Sequence, residues 1–282
     1  MSGIQAPDKE TMEACRLYVD NLIKPIHSLG KLEDIAVRLA GITGKIKPGK
    51  LNKAIVIMAG DTAVDGENKT GGKTSLTEVQ MASRGLGTVS AVARTLGAPV
   101  YLIDVGLEQN TNDIEGVLTN KVVYGTHRGN PALDQDAVSA AISIGMSVAR
   151  TLAVQGIQAV GLGNIGERSL LSALGVTAAI MKKELQENSL KDGFSLHMDD
   201  VGNMANDPVG VLSRVGSAEI AGLFGLVVQA AREKIAIVFD NAVTGAAVLA
   251  AIEVYPEVRD YVFPSAAYNE PCLLYTSDAA DE

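Results

Sequence analysis

Lys53-Ala-Ile-Val-Ile-Met-Ala59 is a short, continuous apolar run with no helical period, the mark of a strand buried on both faces of a parallel sheet. Four further runs have the same texture: Val100-Tyr-Leu-Ile-Asp-Val105, Ile157-Gln-Ala-Val-Gly161, Ile235-Ala-Ile-Val-Phe-Asp240 and Tyr261-Val-Phe263. Between them lie segments of helical period at 75–96, 135–155, 169–186, 217–234 and 242–254. This alternation predicts an α/β fold, a doubly wound (Rossmann-like) parallel sheet flanked by helices. Ser75-Leu-Thr-Glu78 reads as a capping box. Asp207-Pro208 reads as an N-cap followed by the residue best tolerated at the first helical position. Two more helical segments, 9–22 and 31–40, come before the first strand and are joined to it by a Gly/Pro/Lys-rich link at 41–50.

Composition narrows the function. The chain has 282 residues, 47% hydrophobic and 20% charged, enough for one large domain or a large plus a small one. A formal net charge of -9 argues against nucleic acid or an acidic membrane as partner, since both need a positive field. No apolar run reads as long enough to span a membrane. Asp8, Glu10 and Glu13 stand where a secretory signal would be basic and then apolar, so a cytoplasmic location is expected. The two cysteines, Cys15 and Cys272, form neither a disulfide framework nor a zinc spacing. His27, His127 and His197 are far apart, so no metal site is predicted, even with Asp199 and Asp200 beside His197.

In a doubly wound sheet the ligand sits outside the carboxyl ends of the strands. The segment after Val160 is Gly161-Leu-Gly163-Asn164-Ile-Gly166-Glu167-Arg168-Ser169, leading into a helix. Glycines admit a ligand close to the backbone, and free amides at a helix start favour a phosphate. A phosphate or sugar-phosphate loop is therefore the leading reading, with a plain tight turn as one alternative. A dinucleotide fingerprint, and with it an NAD(P)-dependent oxidoreductase, is another. It lacks the acidic residue expected about 20 positions later at the end of a second strand. Asp61 caps a turn or borders a pocket, and Gln80 is a solvated helix residue or part of that pocket. Asp240 and Glu270 are strand-end carboxylates suited to a substrate hydroxyl, a helix cap or a salt bridge.

Residues 24–41, Lys-Pro-Ile-His-Ser-Leu-Gly-Lys-Leu-Glu-Asp-Ile-Ala-Val-Arg-Leu-Ala-Gly, resemble the Lys-Pro-x-Gly-Ser-Leu-Gly-x-Leu-Glu-x-x-Ala-x-x-Leu-Ala-Gly block of nicotinate-nucleotide:dimethylbenzimidazole phosphoribosyltransferases, enzymes of cobalamin lower-ligand synthesis. His27 departs from the block's glycine, and at the block's open position Ile26 stands for the family's proline. The resemblance continues to about residue 270, through Tyr101-Leu-Ile-Asp104-Val-Gly106, Arg214-Val-Gly216, Glu219-Ile-Ala-Gly222 and Ile237-Val-Phe-Asp240. It implies transfer of phosphoribose from nicotinate mononucleotide to a benzimidazole-type base, giving α-ribazole phosphate, with no cofactor and as a homodimer.

By the same resemblance, Gly161, Gly163, Asn164, Gly166, Glu167, Arg168 and Ser169 take the phosphate and ribose loop. Asn164 stands where the family has a glutamate, and the residues from Glu167 onward replace an Asn-Thr-Thr stretch. Asp61, Thr77 and Gln80 keep the spacing of the base pocket. Asp240, Ser265 and Glu270 correspond to possible ribose contacts. Lys182, Lys183 and Lys191 are unaligned candidates for the family's phosphate-binding lysine.

Cys-Leu-Leu-Tyr-Thr-Ser-Asp-Ala-Ala-Asp-Glu, residues 272–282, reads as the translation of a transposase-type sequencing adapter. The expected organisation is thus 1–45 as N-terminal helices of a small, incomplete domain, 46–271 as the α/β domain, and 272–282 as a non-native tail. The family's general-base glutamate lies in a Gly-Glu-Gly motif that would fall beyond residue 271, so this polypeptide is expected not to turn over. The alternative is a non-catalytic paralogue that binds substrate or pairs with an active homologue as a heterodimer.

Overall fold

The computed structural model describes residues 3–62, 71–127, 131–182 and 207–265. Six parallel strands run β1 (Lys53–Gly60), β2 (Val100–Gly106), β3 (Val117–Thr119), β4 (Ala159–Ile165), β5 (Ala236–Phe239) and β6 (Val262–Pro264), in the order β3-β2-β1-β4-β5-β6. The order reverses between β1 and β4, which places the switch-point crevice of a doubly wound sheet there. The fold class is the one the strand-helix alternation predicts. β3 was not predicted, because three residues on a sheet edge, two half-buried and Leu118 exposed, leave no apolar run to read.

The helices around the sheet are α3 (Lys73–Ser83), α4 (Thr88–Leu96), α5 (Gln135–Val154), α6 (Ser169–Met181), α7 (Pro208–Val215), α8 (Ala218–Arg232) and α9 (Ala242–Val254). Three expectations are corrected. The segment 75–96 is two helices, broken at Arg84-Gly85-Leu86-Gly87, where Gly85 takes a positive φ of 72°. Ser75 does not open a capping box. The helix starts at Lys73, and the Ser75 hydroxyl turns inward to donate to Asp61 Oδ1. Asp207 precedes Pro208 as expected, but its side chain makes no cap bond.

The main core lies on one face of the sheet, where α5, α6, α8 and α9 pack on Val56, Met58, Val160 and Ile237. By length and composition α5 is apolar enough to cross a membrane, contrary to the sequence reading. Here it buries Val138, Ala141, Gly145, Ala149 and Leu152 and turns Ser139, Ser143, Ser147 and Arg150 outward. It lies backbone to backbone on α8. A Cβ on Gly145 would stand 1.9 Å from the Gly222 carbonyl, and one on Gly225 would stand 2.1 Å from the Ile142 carbonyl.

The opposite face carries a smaller core of Ile57, Leu102, Leu107, Val79 and Ile165 beneath α3. At the N-terminus α1 (Lys9–Asp20) pairs with α2 (Lys31–Thr43) around Cys15, Val19, Val37 and Ala40. Arg38 fastens α2 to the sheet edge, donating to the carbonyls of Arg259 (2.9 Å) and Val262 (2.8 Å) and lying 4.3 Å over the Phe263 ring.

Candidate functional site

The crevice is organised by Asp61, the residue after β1, whose side chain is 1% exposed. Its Oδ1 accepts from the Ser75 hydroxyl and from the Glu167 amide (2.9 Å), and its Oδ2 accepts from the Glu108 amide (2.8 Å). One carboxylate thus ties together the segments that follow β1, β2 and β4. Glu167 returns a clamp of its own, with Oε1 accepting from the Thr74 amide at 2.9 Å. Thr77 and Gln80 are not drawn into this network. Thr77 is exposed and donates to the Lys73 carbonyl, Gln80 is half-buried, and neither lines the cavity described next.

β4 runs farther than the sequence suggests. Gly161, Gly163 and Asn164 belong to the strand and not to a loop after it, paired with Ile55, Ile57 and Met58 of β1. Only Gly166, Glu167 and Arg168 make the turn into α6. The first two glycines of the Gly-x-Gly-x-x-Gly spelling therefore do not form the tight turn that a dinucleotide fingerprint needs. They have another effect. Gly161 and Gly163 project to the same face as Ile55 and Ile57, and their missing side chains leave the sheet bare there. A cavity of about 760 Å³ lies over this bare patch, walled by Met81, Ala82, Val89 and Val92 of α3 and α4, with Asn164, Asp240, Asn241 and Ser265 also lining it.

A second hollow of about 360 Å³ shares Asn164 and Asn241 with the first and is bordered by the first residues of two helices, Ser169 and Leu170 of α6 and Ala242 and Val243 of α9. Two of the first α9 amides are already satisfied, because Asn241 Oδ1 accepts from Val243 (2.9 Å) and Thr244 (3.0 Å) in a capping box. The α6 start has no side-chain cap. Its N-cap, Arg168, sits at a positive φ of 59°, so α6 offers amide donors and a positive dipole end to an anion. Asn164 Oδ1 accepts from Asn241 Nδ2 at 3.1 Å, which locks the two amides together.

Asp240 is exposed at the end of β5, although the atoms crowding it push its carboxyl above the usual range. The Ser265 amide donates to the Phe239 carbonyl at 2.9 Å. Of the predicted residues, the structure gathers Gly161, Gly163, Asn164, Asp240 and Ser265 around the larger cavity. Gly166, Arg168 and Ser169 line the smaller one. Glu270, Lys183 and Lys191 lie outside the described residues.

Sequence reasoning gave no role to Glu219, in the first turn of α8. It is fully buried, and its carboxyl oxygens have no hydrogen-bond partner among the described residues. Burial raises its pKa to about 7, partly offset by the nearby Ser217 and Ser169 hydroxyls, which stop short of hydrogen-bond geometry. The available signal was a lone carboxylate in a stretch otherwise without charge from Ala218 to Ala231.

A family model described as "Phosphoribosyltransferase" matches residues 4–279. The nicotinate-nucleotide--dimethylbenzimidazole phosphoribosyltransferase of Alkaliphilus metalliredigens is 34% identical over 288 aligned positions, covering 95% of this chain and 81% of that protein. That of Acetivibrio thermocellus is 33% identical, covering 93% and 80%. The crystal structure of the Thermus thermophilus enzyme of the same name superposes with a TM-score of 0.83 at 25% identity, covering 97% of this chain and 86% of that one. The chain belongs to the nicotinate-nucleotide:dimethylbenzimidazole phosphoribosyltransferase family.

Proposed function

We propose that this site serves phosphoribosyl transfer from nicotinate mononucleotide to a benzimidazole-type base in the cytoplasm, giving α-ribazole phosphate, and that the protein works as a homodimer. The observation that carries the reading is the uncapped start of α6 at the switch point, which borders a hollow that shares Asn164 and Asn241 with a larger apolar cavity. The donor's phosphate would take the α6 amides and the Arg168 cation, its ribose hydroxyls the rim at Asp240 and Ser265, and the flat bases the apolar cavity.

In the transfer a ring nitrogen of the incoming base bonds to C1′ of the ribose. The C1′–N bond to nicotinate breaks, its electron pair leaving with the nicotinate nitrogen, and the azole N–H proton passes to a base. Negative charge beside C1′ stabilises the oxocarbenium-like carbon, and Asp240 is the candidate for that charge. Asn164, where the resemblance places a glutamate, supplies none. For the 282-residue chain alone we therefore propose that the donor is held without turnover. The second reading, a binding subunit that pairs with an active paralogue, draws on the same substitution and on the engagement of Asn164 with Asn241.

The test is calorimetric titration with nicotinate mononucleotide, followed by incubation with dimethylbenzimidazole and chromatography of the products. Saturable binding that inorganic phosphate competes away is expected, with no ribazole phosphate formed. Absence of binding would sink the site, and product formation would sink the claim of no turnover. Restored or enhanced transfer on adding an active homologue would favour the subunit.

We further propose that residues 1–45 are the N-terminal helices of a smaller helical domain. Their own four-residue core supports this, as do the exposed Leu17, Ile23, Ile26 and Leu32, while Ile4, Ile42 and Arg38 join them to the α/β domain.

A further inference from the structure

The junction of α1 and α2 carries a cluster that the transfer reaction does not use. Asp20 is the last residue of α1, His27 lies in the connecting loop and Glu33 is the third residue of α2. One ligand atom from each, a carboxylate oxygen of Asp20 and of Glu33 and a ring nitrogen of His27, fall within 4.8 Å of one another. The side chain of Glu33 is 3% exposed. Its Oε1 accepts from Lys24 Nζ (2.8 Å) and the Leu29 amide (3.1 Å). Its Oε2 has no hydrogen-bond partner and faces His27 Nδ1 at 3.6 Å. Asp20 Oδ1 is likewise buried and without a partner among the described residues.

Electrostatics leaves this cluster short of positive charge. A carboxylate at the C-terminal end of a helix opposes the dipole, and α1 has no basic residue in its last turn to offset Asp20. Lys24 is committed to the far oxygen of Glu33. Two buried, unpartnered oxygens then converge with an imidazole that is itself held at φ 60°, a conformation that glycine adopts freely and other residues rarely. The related block has glycine at this position, so the chain carries a strained histidine aimed at two carboxylates.

We propose that Asp20, His27 and Glu33 bind a divalent transition-metal ion, Zn2+ being the natural probe, which clasps the end of α1 to the start of α2. One imidazole and two carboxylates suit Zn2+, Mn2+ or Co2+ better than Ca2+, which takes six or more oxygens, or Mg2+, which prefers oxygen and keeps its waters. Ligand atoms around a tetrahedral ion stand about 3.4 Å apart at bond lengths near 2.1 Å. The His27–Glu33 separation is already close to that. The rest is closed by rotation of His27, whose side chain is 69% exposed. Solvent would complete the coordination.

The experiment compares the full chain with His27→Gly, which restores the residue best suited to the left-handed backbone and so preserves the fold. Metal-free protein is titrated with Zn2+ by calorimetry and with Co2+ by visible absorption, and thermal unfolding is followed with and without Zn2+. One ion per chain, a Co2+ ligand-field band and a raised melting temperature are expected in the wild type. In His27→Gly the affinity should fall at least tenfold and the Zn2+-dependent rise should vanish, while the metal-free melting temperature holds or increases. Asp20→Asn should lose affinity in the same direction. Zn2+ binding unchanged by either substitution, or no saturable binding in the wild type, overturns the proposal.

Discussion

Oε2 of Glu219 occupies the space that a Cβ on Gly60 would need, standing 2.4 Å from that position. Gly60 in turn faces Gly166 across the crevice, where a Cβ would lie 1.8 Å from the Gly60 carbonyl oxygen. The ends of β1 and β4 thus meet backbone to backbone, with the Glu219 carboxyl of α8 packed against Gly60, and this close approach sets the α6 amides at the mouth of the anion hollow.

The stack can be tested by overpacking. Gly60→Ala should cost about 1–3 kcal/mol, because the buried carboxyl must move. Gly166→Ala should cost more, because the obstacle is backbone. Combining Gly60→Ala with Glu219→Ala should recover part of the first loss, giving a coupling of roughly 0.5–3 kcal/mol in urea unfolding. Strict additivity would refute the contact.

Glu219 also predicts a pH dependence of stability. Its carboxyl titrates at about 7 in the folded protein against an ordinary value of 4.5. Below pH 4.5 it is neutral in both folded and unfolded chains. As pH rises from 4.5 towards 7 the unfolded chain releases its proton first, so stability falls through that window and levels off above it. The spread corresponds to roughly 3 kcal/mol. Glu219→Gln should flatten this loss and exceed the wild type in stability at about pH 8. An unchanged pH–stability curve would count against a neutral acid in the native state.

Asp61 accepts from three donors on three segments. Asp61→Ala leaves the Ser75 hydroxyl and the Glu108 and Glu167 amides without their acceptor, a loss of roughly 2–4 kcal/mol. Hydrogen exchange should then accelerate at Glu108 and Glu167 well before the strand amides of β1 and β4. Uniform acceleration across the sheet would instead mean that Asp61 supports global stability alone.

Arg168 combines a cation with a positive φ of 59°. Arg168→Gly should relieve the backbone, since glycine suits the left-handed conformation. Nicotinate mononucleotide should bind about 10–100-fold more weakly, the worth of a charge-assisted hydrogen bond. Unchanged affinity in calorimetry would remove Arg168 from the phosphate site.

The strands at Lys53–Gly60 and Val100–Gly106 were legible because each is a continuous apolar run, buried by the sheet's helical layers on either side. Gly161 was legible as the end of a strand, but Gly163 only as special and not as strand, since a glycine pair looks the same in a turn as in a bare patch of sheet. Asp61 read equally as a turn cap and as a pocket residue. Its three donors come from positions 14, 47 and 106 residues away, separations that no local pattern encodes. Glu219 was passed over for the same reason, as its environment is made by Gly60, Ser169 and Ser217.

The sequence by itself determined the layer architecture and the lineage, because hydrophobic period and motif spelling are local properties of the chain. Tertiary structure alone decided the strand order that opens the crevice between β1 and β4, the cavity left by two glycines facing Ile55 and Ile57, and the meeting of Asp20, His27 and Glu33. Those depend on which side chains the fold brings into one small volume, and burial changes what groups such as Glu33 and Glu219 can do there.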